Sequence, residues 1–432
     1  MLKVNAMGDT CPIPVVKTKE AIRQLGADGG VVETLVDNDI AVQNLTKMAN
    51  QKGYGVESEK LGENEYRVTM TVGAGADLPA ESEETVCMVP AGQKNTVVVV
   101  AADHMGEGEG ELGKNLLNIL PVLLGGWLYA KFQGEPFSKY IYQTLFSTCL
   151  SPLVSFWLVH LPGWWCIPAM LFSGVAIGFF VPPIAGYTVK LHQGFDLYNV
   201  GFAAGFLGLG IASICKGLGV EFVTELQWGF EDHETFLWLL RVILLGLLLA
   251  GIYLGCRRPR DYTPLLRHSG RSVADFILMD GAAPTLVNMA FTGGIGLVYL
   301  LALDPFGVRL NGPLVCCVLS MTGFAAFGKH PKNILPVMAG ACLAKALLVA
   351  VPFTAPGPLL AVLFCTGLAP IAGQFGVFWG MVAGFLHMTI VQNTSILHGG
   401  MNLYNNGFAA GLVCVLLLPI IEALRSRSKE EP

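Results

Sequence analysis

Charge is what this sequence has least of. Only 14% of its 432 residues are Asp, Glu, Lys or Arg, against 53% hydrophobic residues and a mean hydropathy of +0.55. A soluble chain of this length needs more charge to cover its surface, so most of the molecule belongs in a lipid bilayer. A positive excess is lacking too. The 27 Lys and Arg against 32 Asp and Glu leave −5, which argues against a basic nucleic-acid binder. No cluster of residues has metal-ligand spacing, and there is no phosphate loop or hydrolase motif, so neither a metal nor a cofactor is expected. The opening Met1–Thr10 lacks the basic start and apolar stretch of a signal peptide. The expectation is a cytosolic N-terminus, where thiols stay reduced. The cysteines agree: Cys149, Cys166, Cys316, Cys317, Cys342, Cys365 and Cys414 sit in apolar runs, where a thiol behaves as a small hydrophobe.

What charge there is falls unevenly. Residues 1–112 hold 18 acidic and 9 basic residues; residues 113–432 hold 14 and 18. An acidic soluble head therefore precedes a membrane body with sparse, mostly positive loops. Within the head, periodicity predicts strands at Leu2–Asn5, Val31–Val36, Gly55–Ser58 and Tyr66–Val72, and helices at Pro14–Leu25 and Asp39–Gln51. The order β-α-β-α-β-β makes a small α/β two-layer sandwich.

Cys11 is the residue of the head with chemistry to offer. It stands in Asp9-Thr10-Cys11-Pro12-Ile13-Pro14, just ahead of the first helix, where unpaired N–H groups and the helix dipole favour thiolate. A plain N-cap cysteine fits the same position. The run Cys11-Pro12-Ile13-Pro14-Val15, followed by Thr18-Lys19-Glu20-Ala21-Ile22, resembles the TusA family of small sulfur carriers over residues 2–72. The resemblance implies that Cys11 carries sulfur as a persulfide, as in sulfurtransferase-like carriers, and exchanges it with a cytosolic donor or acceptor protein. Family members often carry an acidic and a basic residue where this chain has Asn5 and Met7. Val36-Asp37-Asn38, together with Thr96–Gly108 and Glu111–Lys114, is similar to two-domain YedF-type proteins, which are linked to sulfur or selenium metabolism. Only the first strand of the second domain, Val97–Val100, has room to form before the apolar body begins, and one strand cannot build a core. Residues 74–112 thus read as a linker with a truncated domain remnant.

The body contains a repeat. Leu191–Gly205 matches Leu397–Gly411 at an offset of 206, with eleven of fifteen positions identical. Leu145–Pro152 matches Leu363–Pro370 at offset 218. Gly113-Lys114 with Asn118–Val122 matches Gly328-Lys329 with Asn333–Val337 at offset 215. The three blocks keep their order, so the body is an α-helical polytopic membrane protein with two homologous halves. Seven apolar runs separate the two Gly-Lys blocks, which inverts one half against the other if all cross. The expected division is 1–73 carrier domain, 74–112 linker, 113–256 first repeat, 257–271 basic cytosolic loop, 272–424 second repeat and 425–432 cytosolic tail. Arg257, Arg258, Arg260, Arg267 and Arg271, with Arg425, Arg427 and Lys429, place the loop and the tail on the inner side. Two apolar runs precede Gly328 and none precedes Gly113, so the first repeat reads as truncated.

The block His-x-Gly-x-x-Leu-Tyr-Asn-x-Gly-Phe-Ala-Ala-Gly suits a helix break at membrane depth, which is tolerated only where it is buried in protein or lines a polar cavity. The expectation is a substrate pathway in which His192, Asp196, Tyr198 and Asn199 face His398, Asn402, Tyr404 and Asn405 near a pseudo-two-fold axis. The alternative is a helix-packing motif of small residues and interhelical Asn. Lys345, His387, Arg241, Asp280 and Asn288 are further polar residues in or beside apolar runs. Residues 113–424 resemble a bacterial multi-spanning family described as a domain of unknown function, carried by Asp275–Asp280, Asn311-Gly312-Pro313 and Gly323–Pro336. Paired Asn-bearing glycine segments are also reminiscent of urea channels, an analogy of fold alone. The expected function is transport of a small solute, a sulfur or selenium species among the candidates, across a plasma membrane. The alternative is a persulfide carrier anchored by its membrane part.

Overall fold

The structure is a computed structural model. It describes residues 2–7, 13–25, 29–37, 39–62, 65–73, 114–161, 163–217, 219, 232–272, 274–348 and 350–430. Cys11, the expected linker and remnant at 74–112, and its strand Val97–Val100 lie outside the described residues. Two compact units divide the chain at Thr96 and Val97.

The first unit follows the predicted order. Strands β1 (Leu2–Asn5), β2 (Gly30–Val36), β3 (Gly55–Gly62) and β4 (Glu65–Val72) alternate with α1 (Ile13–Leu25) and α2 (Asp39–Gln51). The sheet order is β1-β2-β4-β3, with β1 parallel to β2 and the other pairs antiparallel. Period-two alternation sends Val32, Thr34 and Val36 of β2, and Val68, Met70 and Val72 of β4, onto one face. Val15, Ala21 and Ile22 of α1 and Val42, Leu45 and Met48 of α2 close over that face. On the other face Glu33 pairs with Arg67 (2.6 Å) and Lys3 (3.5 Å). The hydroxyl of Thr18 donates to the Pro14 carbonyl (2.7 Å) and lies 2.9 Å from Thr34 Oγ1. That pins the start of α1, the helix that Cys11 precedes, against β2.

The second unit is helical: α3 (Leu116–Gln133), α4 (Ile141–Ser147), α5 (Ser151–His160), α6 (Cys166–His192), α7 (Asn199–Gly217), α8 (His233–Tyr253), α9 (Pro259–Tyr262), α10 (Phe276–Asp280), α11 (Ala282–Leu303), α12 (Gly312–Phe324), α13 (Pro331–Leu348), α14 (Pro356–Phe364), α15 (Ala369–Phe375), α16 (Val377–Leu397) and α17 (Asn405–Glu430). Among the described residues, six segments are long and apolar enough to cross a bilayer. The basic end of the chain is helical as well, since α17 runs to Glu430.

The repeat is visible element by element. Helix α3 corresponds to α13, α4 and α5 to α14 and α15, α6 to α16, and α7 to α17. Each short pair is joined by a 3₁₀ turn, Thr148–Leu150 and Cys365–Leu368. The packing repeats as well. A Cβ on Gly178 would fall 1.9 Å from the Val122 carbonyl oxygen, and one on Gly384 would fall 1.9 Å from that of Val337. These are the same two contacts shifted by 206 and 215 residues. Gly125 against Val175 and Gly340 against Met381 are a second such pair.

Helices α7 and α17 meet at their equivalent glycines, Gly201 and Gly407. Moving along α7, Tyr198 lies by Gly407, Gly201 by Tyr404, Gly208 by His398, and Lys216 donates to the Ile396 carbonyl. Residue numbers rise on one side as they fall on the other, so the helices run antiparallel. Equivalent membrane helices of opposite direction can be related only by an axis in the membrane plane, and the halves are therefore inverted. Helices α11 and α12 precede α13. No counterpart of them precedes α3 among the described residues.

Candidate functional site

Each half is broken at the expected block. Helix α6 ends at His192 and α7 begins at Asn199; α16 ends at Leu397 and α17 begins at Asn405. The turn needs two left-handed residues, Gln193 and Gly194 in one half and Gly399 and Gly400 in the other. Gln193 is the one non-glycine among the described residues to adopt that conformation, where a Cβ is strained.

The polar residues of the breaks serve the backbone first. Asp196 accepts from the Tyr198 N–H (2.8 Å) and Asn402 from that of Tyr404 (3.0 Å). His192 Nε2 lies 2.8 Å from Asn199 Oδ1, which also accepts from Thr188, while Asn199 Nδ2 donates to the Ala185 carbonyl. Asn405 repeats the last bond with Val391 at 3.4 Å. His398 packs instead on the Phe408 ring, 4.7 Å away. Among the described residues no hydrogen bond runs directly between the two sets of four. His192, Asn199 and Asn405 are tied within their own halves, whereas His398 lies against Gly208 of the other half and the two tyrosines reach across the axis. Asp196 Oδ2, Asn402 Nδ2 and Asn405 Oδ1 are buried with no partner.

Two residues outside the expected set complete the centre. Lys329 is wholly buried and donates to the Tyr198 hydroxyl and to Thr366 Oγ1 (2.9 Å). Lys114 donates to the Tyr404 hydroxyl at 3.0 Å. Lys114 and Tyr404 come from opposite halves, and so do Lys329 and Tyr198, so the pairs are exchanged across the axis. The ammonium groups stand 4.6 and 4.4 Å from those tyrosine rings. The backbone is exchanged too: Leu197 N–H donates to the Gly367 carbonyl (3.1 Å) and Leu403 N–H to that of Cys149 (3.0 Å). Helix α12 stands beside the centre, with Ser320 Oγ 3.2 Å from the Tyr198 hydroxyl. An aromatic chain links the pairs, Tyr404 to Phe146 (5.7 Å), Phe146 to Phe324 (6.4 Å) and Phe324 to Tyr198 (5.0 Å). The sequence held a signal for the lysines: they are the one charged residue type common to both copies of the matched blocks.

The basic loop packs directly under this centre. Gly270 lies backbone to backbone on Gly328, Ser272 N–H donates to the Gly194 carbonyl (2.9 Å), and Arg271 Nε donates to that of Gln193 (2.7 Å). Arg271 covers the Phe195 ring, Phe195 stacks on Phe375, and Arg425 covers Phe375. The loop and the basic end of α17 thus share one end of the body. The other polar residues have local roles: Asn288 binds the Ala325 and Lys329 carbonyls, Asp280 pairs with His268 (2.9 Å), Lys345 covers Phe353, and His387 meets the Asn406 carbonyl. Arg241 is exposed on α8. No group of His, Cys, Asp and Glu able to hold a metal occurs among the described residues.

Known proteins resemble the chain in two parts. Residues 2–72 match the family described as "Sulfurtransferase TusA". A protein of Methanocaldococcus jannaschii described as "Putative sulfur carrier protein MJ0990" is 34% identical over 70 residues, 16% of this chain and 92% of that protein. A solved SirA-like protein of Desulfitobacterium hafniense is 46% identical, covering 17% of this chain and 99% of the other, with a TM-score of 0.17. The N-terminal domain is thus a TusA-like sulfur carrier domain, and the body is a multi-pass membrane domain. Residues 84–217 and 257–423 match a second family, a match that opens within the segment read as linker. Through those residues the chain belongs to the family described as "Protein of unknown function (DUF1576)".

Proposed function

We propose that the membrane body carries a small solute across the bilayer, and that the TusA-like head relays sulfur on the cytosolic side through Cys11. The observation that carries this is the pair of helix breaks at equivalent places in inverted halves, with polar side chains buried at both. Backbone is broken at membrane depth at a cost that a transport pathway recovers, and inverted halves supply the two facing arrangements that alternating access needs. The Arg-rich loop and tail share one end of the body, which the positive-inside rule assigns to the cytosol of a plasma or inner membrane. The TusA-like head supports a sulfur donor or acceptor protein as partner, and the apolar helices support the lipid bilayer as the other. The test is uptake of 35S-labelled sulfur oxyanions into proteoliposomes. Replacing both Asn199 and Asn405 with Leu should abolish flux; unchanged flux in a folded variant refutes the pathway.

A second reading makes the body an anchor for a persulfide carrier. It is favoured by the way His192, Thr188, Asn199 and Ala185 satisfy one another, as a pure packing motif would. Counterflow in proteoliposomes separates the two, since an anchor supports none.

A further inference from the structure

We infer that the exchanged pairs Lys114–Tyr404 and Lys329–Tyr198 are two equivalent half-sites for a small oxyanion. This rests on the transport reading and names the class of its substrate.

The lysines are the starting point. Lys329 has no exposed surface and Lys114 has 8%. Among the described residues no carboxylate oxygen lies within 4.0 Å of either. A cation buried at membrane depth without a paired acid is costly, and such residues mark pathways for charged species. The buried Asp196 acts on Lys329 through space without touching it, and its equivalent in the other half is the neutral Asn402. The positive charge is therefore repeated and the negative charge is not. Each lysine also stands directly before a helix start, α3 at Leu116 and α13 at Pro331, where the dipole adds positive potential.

The surrounding groups favour an acceptor-rich ligand. A tyrosine hydroxyl that accepts from an ammonium keeps its own proton free to donate. Tyr404 and Tyr198 are both in that position, and Ser320 adds a hydroxyl beside Tyr198, while Thr366 gives its proton to the Leu363 carbonyl and only accepts from Lys329. A tetrahedral oxyanion presents several acceptor oxygens and negative charge together. A neutral amide or a metal cation would leave the ammonium groups uncompensated. Inversion then has a direct meaning: one half-site stands on each side of the axis, at the ends of the Tyr404–Phe146–Phe324–Tyr198 chain.

The test is equilibrium binding of 35S-sulfate to the full chain in nanodiscs, with unlabelled thiosulfate, sulfite and phosphate as competitors. Saturable binding is expected, weakened at least tenfold by Lys329→Met and by Lys114→Met. Lys→Arg at either position should retain most of it. Should a methionine variant fail to fold, Tyr198→Phe and Tyr404→Phe decide, since they keep the ring packing and remove the hydroxyl; each should weaken binding severalfold. No binding of any of the four oxyanions, or binding indifferent to these substitutions, overturns the inference. Flux in proteoliposomes separates the two claims. Lysine-dependent binding without uptake leaves the anion site standing and refutes transport. Uptake of a neutral solute indifferent to both lysines does the reverse.

Discussion

Two glycines on one helix give a sharp test of the packing. A methyl group on Gly178 would sit 1.9 Å from the Val122 carbonyl oxygen, whereas nothing lies within 4 Å of one on Gly186, two turns along α6. Carbon and carbonyl oxygen rest about 3.3 Å apart. Alanine at 178 must therefore part α3 and α6 by roughly 1.4 Å, and overpacking of that kind costs about 1–3 kcal/mol. The gain in helix propensity, up to about 1 kcal/mol, is common to both substitutions and cancels in their difference. Gly186→Ala should thus exceed Gly178→Ala in melting temperature by roughly 2–12 °C, at about 2–4 °C per kcal/mol for a large domain. Gly384→Ala, the equivalent in the other half, should fall with Gly178→Ala because Val337 meets it at the same 1.9 Å. Thermal melts followed by size-exclusion chromatography in detergent would measure this. If all three variants melt together, α3 and α6 do not approach as described, and the equivalence of the halves loses its best support.

Other outcomes follow from single contacts. Cys11→Ser should abolish persulfide loading from a cysteine desulfurase, read by mass spectrometry, while leaving the head folded. Gly270→Ala, at φ +77° and with a Cβ 1.9 Å from the Gly328 carbonyl oxygen, should lift the basic loop off the centre. Faster proteolysis within 257–271 would report it, and unchanged digestion would refute the contact. Burial pushes Glu135 up, but hydrogen bonds from Lys139 and Tyr140 outweigh it and hold the carboxyl below its ordinary value. A depressed carboxylate contributes stability that is present at neutral pH and lost as pH falls through its folded value. Protection factors across 133–140, which correct for the intrinsic pH dependence of amide exchange, should therefore fall in acid in the native chain and stay constant with pH in Glu135→Gln.

The head was legible in its element order, with β3 alone running well past the expected Ser58 to Gly62, because its strands and helices carry their periods locally. Val32, Val68 and Met70 alternate inward, and Val42, Leu45 and Met48 return at helical spacing. The helix breaks were legible from glycine, and the repeat from identity at fixed offsets. The lysines of the centre were not read as site residues. Lys114 and Lys329 marked only the repeat, since a Lys ahead of an apolar run looks like an interfacial anchor until its depth is known. The facing of the two His–Asn sets was read from symmetry; His192, Asn199 and Asn405 hydrogen-bond within their own halves, while His398 lies against Gly208 of the other.

By itself, then, the sequence determined the membrane class, the carrier head, the doubling of the body and the places where its helices stop. All of these are written in composition, period and self-similarity along the chain. Only the tertiary structure decided that α7 and α17 run antiparallel through Gly201 and Gly407, and that each lysine therefore meets the tyrosine of the other half. The reason is physical: a period reports neighbours within about one turn. A contact spanning 290 residues, as between Lys114 and Tyr404, exists only once the halves have packed about their common axis.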